Sequence, residues 1–150
     1  VSNPEEYPLS GMGAANVGPE FTMNEYDALA ELEQEEKKQF EAGRVAQLSH
    51  ITDVLWQKVY ESNRWKKWLH GEEVGKDLKE VDPDRQLWLV KTGCRYIWQT
   101  PEALVARQML YDNLEHLGIH AEEVVLMRIE HNMDKYYRAF NLIDLNDYIK

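Results

Sequence analysis

Apolar positions recur along this chain at helical spacing, interrupted by short polar breaks that carry start and stop signals. Thr22 and Glu25 fit a capping box, which predicts a helix from Thr22 to about Ala42 with Gly43 as its stop. Val45, Leu48, Ile51, Thr52, Leu55 and Val59 fall on one stripe and predict a second helix over about 45–61. Ser62 or Asn63 then caps a short helix over Arg64 to Leu69. Asp82-Pro83 and Thr100-Pro101 are two further starts, because a side-chain oxygen caps while proline at the first helical position gives up a donor that has no partner there. They predict helices from Pro83 to Thr92, ended by Gly93, and from Pro101 along Ala103, Ala106, Leu110, Leu114 and Leu117 to Gly118. A final helix over about Ala121 to Ala139 buries Val125, Ile129, Met133, Tyr136 and Phe140.

Between these segments, His70 to Val81 lacks periodicity and reads as a mobile linker. Arg95 to Trp98 reads as a strand-like connector, and Glu31 to Gln39 as a solvated face. The tail from Asn141 to Lys150 reads as a short turn. The fold class expected is mainly α, with five main helices.

Composition narrows the function classes. The 150 residues are 43% hydrophobic with 5 Trp and 8 Tyr, enough for a sizeable core. Lys and Arg number 17 against 27 Asp and Glu, a net charge of -10. That balance opposes nonspecific nucleic-acid binding and docking on anionic lipid. There is no apolar stretch near the roughly 18 residues of a membrane span. The single Cys94 fits a reducing, cytoplasmic setting and a packed thiol.

Candidate chemistry concentrates in Gly11-Met12-Gly13-Ala14-Ala15-Asn16-Val17-Gly18-Pro19-Glu20-Phe21-Thr22. Glycine lets backbone approach a ligand, and a helix N-terminus offers free N–H groups to an anion. The segment is therefore the likeliest place for chemistry in an otherwise helical chain. A loop whose glycines only turn the chain has the same sequence. Trp56, Tyr60, Trp65 and Trp68 interleave with Arg64, Lys66 and Lys67, which reads as aromatic packing with cationic stems at the rim rather than a stacking platform. His116 and His120 are four apart, but Gly118 between them ends the helix, and Glu130-His131 lacks a second histidine four residues on. No catalytic residue and no metal ligand is assigned.

Val17-Gly18-Pro19 with Thr22 and Ala28-Leu29, Arg64-Trp65-Lys66-Lys67-Trp68-Leu69-His70, Asp84-Arg85, Arg95-Tyr96-Ile97-Trp98 and Asn113-Leu114 occur in an order and spacing that resembles the non-catalytic subunit family of class II D-tagatose-1,6-bisphosphate aldolase. Some members of that family carry a tagatose-6-phosphate kinase label, to which the absence of a GxxxxGK[ST] segment lends no support. The resemblance implies a TIM (β/α)8 barrel of which this chain is the helical C-terminal portion, since a barrel needs about 250 residues. On that reading residues 1–42 hold the last barrel strand or loop and the following helix, and 43–150 the C-terminal helical region.

The resemblance further implies an accessory subunit in carbohydrate metabolism, partnered by a catalytic aldolase or the remainder of the barrel. It implies a sugar or sugar phosphate as ligand, with Gly11, Gly13, Asn16 and Gly18 as the residues near it and Glu20 and Thr22 behind them. The Glu20 charge opposes a phosphate dianion, leaving a neutral sugar, a sugar acid or no ligand as alternatives. The chain would hold no cofactor, and any divalent zinc would sit on strands preceding Val1. Two alternatives stand beside it: a metal-dependent ketose or hexuronate epimerase or aldolase on the same barrel, and an independent helical interaction domain.

Overall fold

A computed structural model describes residues 18–139. Among these residues five α-helices form the frame: α1 (Gly18–Glu41), α2 (Ile51–Ser62), α3 (Pro83–Gly93), α4 (Pro101–Glu115) and α5 (Ala121–Ala139). No strand occurs among the described residues. Single 3-10 turns cover Arg64–Trp68, Gly71–Glu73, Leu78–Glu80 and Cys94–Tyr96. The long α1 is the hub, packing against α2, α3, α4 and, most extensively, α5. Leu29 from α1, Ile51, Leu55 and Val59 from α2, Leu89 from α3 and Leu110 and Leu114 from α4 are removed from solvent where these helices meet.

The stop signals act as the residue types dictate. At the end of α1, Gly43 adopts φ +76°, its N–H reaches the Phe40 carbonyl, and the Arg44 N–H reaches that of Gln39 at 2.9 Å. Gly118 repeats this at φ +79°, with Ile119 N–H on the Leu114 carbonyl at 3.0 Å. Both are Schellman closures, which need a residue that tolerates positive φ. Asp82 caps α3 as expected, accepting from the N–H groups of Asp84 and Arg85 at 3.2 and 3.4 Å.

Several boundaries differ from expectation. Helix α1 begins at Gly18, so Thr22 is an interior residue that packs in the core, and the capping box is not formed. Helix α2 begins at Ile51, because His50 in left-handed conformation (φ 53°) breaks the backbone between Val45 and the stripe it appeared to extend. Arg95 to Trp98 contains a 3-10 turn and no strand. The expected linker over 70–81 folds into two turns and buries Leu78 and Val81. Asp77 and Glu80 satisfy each other's backbone N–H groups there. Phe140, the tail from Asn141 onward and the segment before Gly18 lie outside the described residues.

Candidate functional site

Of the residues expected to bind a ligand, Gly11, Gly13 and Asn16 lie outside the described residues. Gly18 is the first residue of α1. Glu20, in the first turn, accepts the Tyr136 hydroxyl from α5, so its carboxylate ties α1 to α5.

The residues that carried the family resemblance gather elsewhere. Asn63 in left-handed conformation (φ 57°) reverses the chain after α2, and the Ser62 hydroxyl accepts the Arg64 N–H at 3.2 Å. The following 3-10 turn points Trp65 inward, where it is 1% exposed and its indole N–H donates to the Tyr60 carbonyl at 3.2 Å. Arg64, Lys66 and Lys67 are thereby left on the outside and Trp68 at the boundary. Trp56, Tyr60 and Trp65 form a stacked column with centroid spacings of 5.3 and 6.4 Å. Trp68 lies against Tyr96 at 6.0 Å and meets Trp88 edge-on at 6.3 Å. This is the packing with a cationic rim that the sequence predicts, although Trp88 remains 39% exposed.

Arg85 locks the arrangement. Its guanidinium donates to the Trp68 carbonyl at 2.6 Å, pairs with Glu73 at 3.0 Å and lies 4.5 Å from the Trp88 ring centre. The hydrogen bond from Arg85, with help from the His70 N–H and the Arg85 charge, lowers the Glu73 carboxyl pKa. Tyr60 donates to Asp77 at 2.8 Å, which raises the phenol pKa; the Lys79 N–H and then Tyr60 lower that of Asp77. Beside the column lies an open groove of about 600 Å³, bounded by Tyr60, Asn63, Lys66, Asp77 and Glu80 among others.

The Tyr96 side of this face is cationic. Lys67, Arg64 and Arg95 place their charges 4.3, 4.8 and 5.3 Å from the Tyr96 ring centre, and the Lys67 ammonium donates to the Tyr96 hydroxyl. That hydrogen bond and the three nearby charges lower the phenol pKa by favouring phenolate.

A second constellation went unseen in the sequence. Glu33 and Glu36 lie within the run read as a solvated face, yet they are 2% and 0% exposed. Glu36 accepts from the Ser49 N–H at 3.0 Å, the Ser49 hydroxyl at 2.7 Å and the Asn113 amide at 2.6 Å. Glu33 accepts from the Thr52 N–H at 3.1 Å and the Thr52 hydroxyl at 2.6 Å, and pairs with Lys37. These carboxylates supply from α1 the acceptors that the start of α2 lacks locally, since His50 makes no side-chain cap. Extending the three-and-four spacing of Thr22, Tyr26 and Leu29 lands on Glu33 and Glu36, a signal masked by their charge.

The remaining candidates resolve simply. Cys94 is fully buried, and burial pushes its thiol pKa well up, which suits a packed thiol. His120 faces Glu115 at 3.0 Å, and the left-handed Gly118 separates it from His116. Among the described residues, no group of three or more His, Cys, Asp and Glu side chains is placed to hold a metal ion, and no helix is long and apolar enough to cross a membrane. No family model, curated protein or solved structure matches this chain.

Proposed function

We propose that this chain is the helical C-terminal region of an accessory, non-catalytic subunit of the class II tagatose-bisphosphate aldolase type, completing a barrel protein that stabilises a catalytic partner. One observation carries the reading. Three of the motifs on which the resemblance rests, Arg64 to His70, Asp84-Arg85 and Arg95 to Trp98, are separate along the chain, yet Arg64 and Lys67 meet Tyr96, and Arg85 bonds the Trp68 backbone. Residues that act together in space are a more specific signature than the same residues counted along the chain. A shared role in shaping one face accounts for their occurring as a set.

The roles themselves fit support of a partner. Trp65 anchors the face, Arg85 fixes its geometry, and Arg64, Lys67 and Arg95 present positive charge from a body whose net charge is -10. Such local reversal of sign directs an acidic surface to one orientation.

The test is made in the longest natural form of the protein. Added to a catalytic class II aldolase, it should raise activity or thermal stability, and it should show no turnover of ketose or sugar phosphate alone. Exchanging Arg64, Lys67 and Arg95 for Gln should weaken the effect. Metal-dependent turnover by the isolated protein would replace this reading with the epimerase or aldolase alternative.

A further inference from the structure

We infer that Arg64, Lys67 and Arg95, gathered around Tyr96, form a binding site for a phosphomonoester dianion. The proposal goes beyond the accessory reading and stands without it, since it uses only charges of this chain. Both guanidinium carbons and the Lys67 nitrogen lie within 5.3 Å of one ring centre. No two are therefore more than about 10 Å apart, roughly one screening length at 0.1 M salt. Among the described residues none of the three has a carboxylate within ion-pair distance. Some cations elsewhere on the bundle do, Lys91 with Asp27 at 2.5 Å, Arg107 with Glu25 at 2.8 Å and Arg128 with Glu31 at 2.6 Å among them. What sets these three apart is that, unpaired on a chain with 27 acidic residues, they gather on one ring and are open to an anion.

The dimensions choose the anion. An acidic peptide spreads its charges along an extended backbone at about 3.3 Å per residue, whereas these cations surround a single ring. A compact group carrying two charges and several acceptor oxygens matches two planar guanidinium forks and an ammonium point charge. Arg64, Lys67 and Arg95 are all exposed, so the ligand reaches them without any rearrangement. Inorganic phosphate and the phosphate of a phosphorylated sugar share this chemistry.

Calorimetric titration of the full chain separates the sources. Inorganic phosphate and a hexose 6-phosphate should each bind saturably, more weakly as salt rises, and the unphosphorylated hexose should not bind. Tighter binding of the hexose phosphate than of phosphate identifies the sugar ester as ligand; equal binding identifies the phosphate group alone. Arg64→Gln and Arg95→Gln should each weaken binding about fivefold, as expected for exposed ion pairs, and Lys67→Arg should retain it. Phosphate should also slow acylation of Lys67 relative to Lys37 in the unaltered chain, a readout that needs no variant. Absence of saturable binding, unchanged affinity in the Arg64→Gln/Arg95→Gln double variant, or tighter binding of polyglutamate than of phosphate would each overturn the proposal. Loss of the partner effect with phosphate binding intact would count against the accessory reading alone.

Discussion

Gly93 of α3 passes so close to Val59 of α2 that a Cβ at Gly93 would lie 2.6 Å from Val59 Cγ1. Sequence analysis gives Gly93 the role of a helix stop, but its φ is -67° and the backbone runs on into the next 3-10 turn. The glycine is required by contact between helices. Val59 is fully buried and β-branched, so it has neither free space nor a flexible end with which to yield.

Gly93→Ala should therefore destabilise the chain by about 1–3 kcal/mol, the usual cost of overpacking. Val59→Ala alone costs a similar amount through its cavity. The double variant should be less destabilised than the two single effects added, because each relieves the other's defect. Additive urea-denaturation energies would refute this contact.

The helices were readable where local chemistry decides. Asp82-Pro83, Gly43 and Gly118 each satisfy or release backbone groups within a few residues, and the structure uses all three. The signal failed where the partner is distant. Val45, Leu48 and Ile51 share helical spacing, but the acceptors for the start of α2 come from Glu33 and Glu36 on another helix. The cationic rim around Trp68 was visible as a local run, whereas Arg85 and Tyr96, which organise it, are supplied from α3 and the turn after it. No periodicity in one segment encodes such a meeting.

The buried carboxylates allow a sharp comparison. Glu36→Leu would leave the Ser49 N–H, the Ser49 hydroxyl and one Asn113 donor short of an acceptor, at about 1–3 kcal/mol for each group left unsatisfied. Asn113 also bonds the Gln47 carbonyl at 2.8 Å and so retains part of its satisfaction. A total loss of about 3 kcal/mol or more is expected, with Glu36→Gln milder because one acceptor oxygen survives. Glu35→Gln, one residue away and partly exposed, should change stability by less than about 0.5 kcal/mol. Equal denaturation midpoints for Glu36→Leu and Glu35→Gln would show that Glu36 does not organise the start of α2.

Two tryptophans on the same face should behave differently. Trp65→Ala opens a large hole at a residue 1% exposed and removes its bond to Tyr60, so a loss of about 3–5 kcal/mol is expected. Trp88 is 39% exposed and contributes an edge contact with Trp68 and a surface for Arg85; Trp88→Ala should cost nearer 1 kcal/mol. Thermal melting followed by circular dichroism would distinguish them, and a Trp65→Ala chain as stable as the parent would remove Trp65 from the core.

Acid should weaken the same face through Glu73. Arg85 lowers the Glu73 pKa from its ordinary 4.5 in the folded chain, so the folded state favours the ionised carboxylate. The resulting stability is fully present above the unfolded value and is lost as pH falls through the lower folded value. Asp77, lowered by the Lys79 N–H and Tyr60, follows the same course from 3.8. Glu73→Gln removes the titrating group and keeps one acceptor oxygen, enough for Arg85 or for the His70 N–H but not for both. Its melting temperature should fall below that of the parent at neutral pH, and the gap should narrow as the pH falls below the ordinary 4.5 and close as it passes through the lower folded value. A gap of constant size across that range would mean that the Glu73 charge contributes nothing and that only its shape matters.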